Sequence, residues 1–228
     1  MASWFSKMLG TEMTLDNLDR LLEKQLQDLY SAENQLISAL PKMADAAASS
    51  TLKNAFRSHL AETRQHKTRL ERAFRLLGKK AKDEKCDAMK GLITEGDEVM
   101  KADGDDDVKD AALIAAAQRV EHYEIAGYGC VRAFARRLGR GDVAKLLEQT
   151  LKEEGAADKK LTQIAERSIN AHAAKANPQN KRLGEKANGS QQRGASAAHH
   201  NGRAPVRSTA ARSSPRTRGK RRPNMARR

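Results

Sequence analysis

The chain has little of several things, and each shortage excludes something. Only two cysteines occur in 228 residues, Cys86 and Cys130, and they form no CxxC. A disulfide framework, a thiolate metal site and a rubredoxin-like built-in electron donor are therefore excluded, and a reducing cytoplasm is the expected setting. Long apolar runs are missing too. The longest, Ala111 to Ala117, is far too short to cross a bilayer. The opening MASWFSKMLG has no sustained apolar region and no small-residue cleavage site, so it does not read as a secretory signal. No alternating strand pattern and no fixed-period repeat is present. The acidic run at Asp103, Asp105, Asp106 and Asp107 lacks the sixth-place glycine and closing glutamate of a calcium loop. It reads instead as acids favoured by the dipole at a helix N-terminus.

Acid is nearly missing from the last quarter. Residues 171–228 hold 15 Lys and Arg against one acid, Glu185, which accounts for the whole formal charge of +14. The rest is formally neutral, with 28 basic and 28 acidic residues. The basic quarter has no aromatic residue, and its only large apolar ones are Leu183, Val206 and Met225. Such a segment cannot bury enough surface to offset the entropy of ordering it, so a disordered tail is expected. Arg216, Arg218, Lys220, Arg221, Arg222, Arg227 and Arg228 crowd its end. They offer phosphate contacts to DNA or RNA, without aromatics for stacking or any motif for reading bases. A solvated tail or a tether to an anionic surface is the plainer alternative.

What remains is helical periodicity. Residues 1–13 place Trp4, Phe5, Met8 and Leu9 at helical spacing, a short docking helix or a frayed end. One domain over residues 14–170 follows, with four long helices expected. The first runs from Thr14 to about Ala48 with a seam of Leu22, Leu26, Leu29, Glu33, Leu36 and Leu40, and Pro41 should kink or end it. The second runs from Thr51 to Leu77, with Gly78 as its C-cap. Its seam is Leu52, Phe56, His59, Glu62 or Thr63, His66, Leu70, Ala73 and Leu77. A long connection follows, carrying a short helix from Cys86 to Met100. The third helix spans Asp106 to Leu138, with a seam of Ala117, Glu121, Glu124, Tyr128, Val131, Ala135 and Leu138. The fourth is capped by Asp142 and continues to about Ala171, with Val143, Leu147, Leu151, Glu154, Asp158, Leu161 and Ala165 inward. A long crossover between the second and third helices is ferritin-like connectivity, not simple up-down-up-down.

A seam should be apolar, yet each of these carries acid near its midpoint. Midpoints of bundled helices share one layer, so Glu33, Glu62, Glu121, Glu124, Glu154 and Asp158 should meet there, with His59 or His66. Each buried ion costs several kcal/mol, against a domain stability of roughly 5–15 kcal/mol. Protonation, pairing with buried Arg or Lys, or bound cations could relieve this. No Arg or Lys lies on the seams at that depth, and two divalent cations would offset four of the six charges. Oxygen-rich sites with one or two imidazoles suit iron or manganese. Tyr30, Tyr123 and Tyr128 lie at similar depth, as core tyrosines or as hydrogen-bond donors to the ligand carboxylates.

Through DLYSAENQL, HLAETRQHKTRL, EKCDAMKGLI, KDAALIAAAQRVEHYEIAGYG and TLKEEGAADKKLT, residues 12–170 resemble the ferritin-like superfamily. More closely they resemble the bacterial YciE/YciF family of ferritin-like stress-associated proteins. The resemblance implies a bundle with a dinuclear metal site and a link to stress, but no particular reaction. By the superfamily pattern Glu33 is the first-helix carboxylate and Glu62 the bridging one on the second helix. Glu121 and Glu124 are the third-helix pair, and Glu154 is the bridge on the fourth. The chain departs from Glu-x-x-His on the second helix, where Gln65 follows Glu62 by three, and Asp158 stands where a related peroxidase-type site has histidine.

Two functions are thus expected as alternatives. One is a metal-dependent redox or storage protein acting on iron or peroxide. The other is a stress-induced bundle scaffold whose basic tail binds nucleic acid. A homo-oligomer, for example a dimer, is the expected state.

Overall fold

The computed structural model of the chain describes residues 15–176. The expected docking helix over residues 1–13 and the basic residues from Arg216 to Arg228 lie outside the described residues.

Four long helices and one shorter crossover helix form: α1 (Leu18–Ala46), α2 (Ser50–Leu76), α3 (Asp87–Lys101), α4 (Asp106–Arg137) and α5 (Gly141–Ile164). The chain continues as a π-helical stretch, Ala165–Ile169, and a last turn, α6 (Asn170–Ala173). Among the described residues there is no strand, as the missing alternation implies. Neighbouring helices around the bundle are α1–α2, α2–α5, α5–α4 and α4–α1, and α3 packs across α1 and α4. This is the ferritin-like bundle with its long crossover, here carrying α3.

Local chemistry sets the ends. Asn17 caps α1 by accepting from the Arg20 amide at 2.9 Å, and Asp105 caps α4 by accepting from Asp107 and Val108. Gly78 and Gly139 adopt φ of 69° and 71°, which lets Lys79 N and Arg140 N close onto the Phe74 and Ala135 carbonyls. α5 begins at Gly141 without a side-chain cap, so Asp142 lies inside the first turn and not at the cap. α1 runs through Pro41 to Ala46. Asp110, 1% exposed, accepts from Ala48 N and Ser49 N at 2.9 and 2.7 Å and pins the α1–α2 turn to α4.

The apolar core falls into two clusters. One gathers Leu36, Leu40, Leu52, Phe56, Leu113, Ala117 and Leu161 with Met89 of α3. The other gathers Leu22, Leu26, Leu29, Leu70, Phe74, Val131 and Leu147. Between them, at mid-height on every long helix, the buried positions are polar: Glu33, His59, Thr63, His66, Glu121, Glu124, Thr150 and Glu154. The fold therefore brings a polar slab into a place where each leucine removed forfeits roughly 2–3 kcal/mol of burial.

Candidate metal centre

Each member of the slab is held by a helix whose apolar stripe fixes its rotation. On α1, Leu29 and Leu36 bracket Glu33. On α2, Phe56 and Leu70 bracket His59, Thr63 and His66. On α4 the pair Glu121 and Glu124 lies between Ala117 and Tyr128, and on α5 Glu154 lies between Leu147 and Leu161. All are buried, with Glu33, His66, Glu124 and Glu154 at 0% exposure.

Two ligand sets result. His59, Glu121, Glu124 and Glu154 each direct a donor atom to within 4.8 Å of the others, and Glu33, His66 and Glu154 do the same. Glu154 belongs to both. His59 Nε2 lies 3.2 Å from Glu121 Oε1 and 3.8 Å from Glu154 Oε2. His66 Nδ1 lies 2.8 Å from Glu154 Oε1 and 3.6 Å from Glu33 Oε1. These are ion-pair distances, yet His59 Nε2, His66 Nδ1 and both Glu154 oxygens make no aligned hydrogen bond. The contacts are chiefly Coulombic.

Among the described residues, nine buried side-chain nitrogen or oxygen atoms lack a hydrogen-bond partner, and eight belong to these six residues. Native cores satisfy nearly all such atoms. A concentration of this kind, on residue types that ligate hard cations, fits a cation-binding centre. Four carboxylates balance the charge of two divalent ions.

Groups outside the ligand sets hold them in place. His66 Nε2 is 2.9 Å from Glu153 Oε2, and Arg69 Nη2 donates to Glu153 Oε1 at 2.9 Å. His59 Nδ1 is 3.4 Å from Glu62 Oε2. Tyr128, fully buried, donates its hydroxyl proton to Glu33 Oε1. Carboxylates behind ligand imidazoles fix ring orientation and tautomer.

Burial pushes the Glu33 and Glu121 carboxyls up to about 8, and raises Glu124, surrounded by Glu154, Glu33 and Glu121, well above the carboxylate range. Burial would lower the imidazoles, but the carboxylates together outweigh it. Glu121 and its neighbours hold His59 at about 9, and Glu154 and Glu33 hold His66 up. Without cations the layer therefore retains protons. Burial also pushes the Tyr128 phenol well above its ordinary value, so it stays a donor. The His59 hydrogen bond holds Glu62 below the usual range, and at Glu153 burial is outweighed by Arg69, Gln149 and His66 together, to the same effect.

Two expected members of the layer lie outside it. Thr63, not Glu62, takes the seam, and the Glu62 side chain is 47% exposed on the outer side of His59. The phase set by Phe56, His59, His66 and Leu70 rotates residue 62 away by about one 100° step. Asp158 sits at the α4–α5 boundary, accepting from Gln118 Nε2 at 2.9 Å, with His122 Nε2 3.4 Å away. The six acids of the sequence reading become four, and both imidazoles join them. His66 is central. Of the tyrosines only Tyr128 touches one of these carboxylates; Tyr30 donates to Glu71, and Tyr123 donates to Asp28 and contacts Cys86 Sγ at 3.0 Å. Glu153 and Arg69 were missed. The adjacent acids Glu153 and Glu154, with Arg69 three places after His66, were the available signal.

A cavity of about 130 Å³ opens between α2 and α5 and reaches His59 and Glu121. Ala55, Ala156 and Ala157 leave the space, and Glu62 and Lys160 stand at its lining.

Fold and site together define an all-helical, ferritin-like bundle with a carboxylate–imidazole layer across its core. Residues 17–174 match the family described as "Domain of unknown function (DUF892)", and the chain belongs to that family. Protein YciF of Escherichia coli (strain K12) is 44% identical over 162 residues, 71% of this chain and 98% of that protein. The crystal structure of the E. coli stress protein YciF matches with a TM-score of 0.66 at 45% identity, over 68% of this chain and 98% of that one. YcfI from Rhodopseudomonas palustris matches with a TM-score of 0.65 at 42% identity, over 66% and 96% of the two chains. The resemblance read from the helix motifs is thereby shown. Among the described residues no helix is long and apolar enough to cross a membrane.

Proposed function

We propose that this chain is a metal-holding stress protein whose core takes up two divalent cations of the iron or manganese type. His59, Glu121, Glu124 and Glu154 hold one, and Glu33, His66 and Glu154 hold the other. The observation that carries this reading is the convergence on one layer of eight buried nitrogen and oxygen atoms without hydrogen-bond partners. Bound there, iron would supply one-electron chemistry toward oxygen or peroxide. The chain's own residues set the terms: Tyr128 keeps a proton on its hydroxyl facing Glu33, and Glu153 with Arg69 orients His66. The apolar clusters on either side shield the layer along the bundle, leaving the groove between α2 and α5 as its opening. The link to stress is supported by similarity to a protein described as a stress protein. Elemental analysis of full-length chain purified without chelator tests the reading. About two equivalents of iron or manganese per chain support it, and absence of metal even after anaerobic loading overturns it.

A second reading concerns residues 171–228, which hold the whole +14. With 98% of E. coli YciF matched and 71% of this chain, a stretch of that size has no counterpart there. Under this reading it binds DNA or RNA through phosphates. Affinity should then fall with salt, with a slope near −0.9 per phosphate contacted on duplex DNA. A gel shift comparing the full chain with one ended at Ala176 tests it, since equal binding by the shortened chain would assign the interaction elsewhere.

A further inference from the structure

We infer that the groove between α2 and α5 is the inlet through which divalent cations reach the core, with Glu62 as a transit ligand at its mouth. The inference rests on the metal-site reading and adds a second, outer position that the ligand sets do not contain. Three observations carry it. The cavity in this groove is lined both by the half-exposed Glu62 and by the buried His59 and Glu121. His59 Nε2 and Glu121 Oε2 are buried atoms without hydrogen-bond partners, so the cavity ends on donors suited to a cation. Glu62 and the inner ligand set meet at opposite nitrogens of one ring: Nδ1 faces Glu62 at 3.4 Å and Nε2 faces Glu121 at 3.2 Å.

The other sides of the bundle carry bridging contacts. α3 lies across α1 and α4. The α4–α5 seam is bridged by Gln118 to Asp158 and Thr162 at 2.9 and 2.8 Å, and the α1–α2 seam by Tyr30 to Glu71 at 3.0 Å. In the α2–α5 groove the small side chains of Ala55, Ala156 and Ala157 leave room. Charge distinguishes the two glutamates there. Glu153 is neutralised by Arg69, whereas the ion-pair partner of Glu62 among the described residues is His59 alone. Lys160 on the same lining offsets part of the Glu62 charge, so Glu62 acts here as a single oxygen ligand on a flexible stem, which can take an ion and pass it inward by rotating about its own torsions.

The experiment is stopped-flow uptake of Co2+, followed by its visible absorption, with metal-free full-length chain. Wild type, Glu62→Gln, Glu62→Ala and Ala157→Leu are compared. The inference expects Glu62→Gln to bind as many ions as wild type but about tenfold more slowly, and Glu62→Ala to be at least as slow, with weaker final binding where His59 loses its partner. Ala157→Leu, which narrows the groove, should slow uptake in the same way. Glu62→Gln retains a partner for His59, so wild-type kinetics in that variant would reduce Glu62 to a positioning residue and overturn the inference. Loss of a bound ion in Glu62→Gln, which keeps a partner for His59, would make Glu62 a resident ligand and overturn it too. Unchanged rates in all three variants would place the inlet elsewhere. A wild-type chain that takes up no cobalt would overturn the metal-site reading itself, an outcome distinct from the others.

Discussion

His59 and His66, seven residues apart on α2, turn different nitrogens into the core: Nε2 from the first and Nδ1 from the second. Their ring centroids are 6.2 Å apart, and the outward nitrogen of each faces a glutamate, Glu62 and Glu153. One helix thus supplies one imidazole to each ligand set, where the superfamily pattern distributes Glu-x-x-His over two helices.

The hold on His66 predicts the effect of Glu153. Glu153→Ala removes the acceptor behind Nε2 and strands Arg69. Affinity for one cation should fall about 10–100-fold, with the other ion nearly unaffected. Competition titration against a chelator of known affinity, resolving two successive steps, checks this. Equal weakening of both steps would mean a general structural defect.

Tyr128→Phe removes the hydroxyl that donates to Glu33. That hydrogen bond pulls the Glu33 pKa down against burial, so its loss should raise Glu33 further above 8. Cation binding at the Glu33–His66 set should weaken near pH 7 and recover at higher pH. Isothermal titration at pH 7 and 9 reads the difference, and a pH-independent change would refute the linkage.

Metal-free protein should lose stability as pH rises from about 5 to 9. Glu33 and Glu121 move from 4.5 in the unfolded chain to about 8 in the fold, and His59 from 6.5 to about 9. The folded state therefore binds more protons across this window, and stability falls as those protons leave. For His59 the contribution is complete below 6.5 and lost through 9. Saturating Mn2+ should reverse the trend, because cations then replace the protons. A melting-temperature series with and without metal tests the sign.

Glu124 has both oxygens buried and without hydrogen-bond partners. Glu124→Leu should stabilise the metal-free chain by about 1–3 kcal/mol, yet remove most of the stabilisation that metal confers. Denaturant unfolding of both forms checks it, and destabilisation of the metal-free chain would show that Glu124 is satisfied in a way the fold does not reveal.

Much of this was legible beforehand. The α1 stripe from Leu22 to Leu40 is buried at every expected place, Glu33 included, because a 29-residue amphipathic helix has one way to face a core. The α4 pair Glu121 and Glu124 was legible for the same reason. Glu62 was not. Thr63 and Glu62 differ by one step of rotation, and the superfamily pattern favours the glutamate while the phase of Phe56, His59, His66 and Leu70 favours the threonine. Asp158 lies four places after Glu154, a 40° turn that carries it toward Gln118 on α4. The Arg69–Glu153 pair joins residues 84 positions apart, and such pairing follows only from how α2 and α5 meet.

The central claim is one shared carboxylate between two cation positions, and Glu154 is the residue that tests it. Anaerobic Fe2+ titration of the full chain should reach two ions in wild type and in Asp158→Ala, and neither ion should bind tightly in Glu154→Ala. Loss of a single ion in Glu154→Ala, or of none, would contradict a layer organised around Glu154.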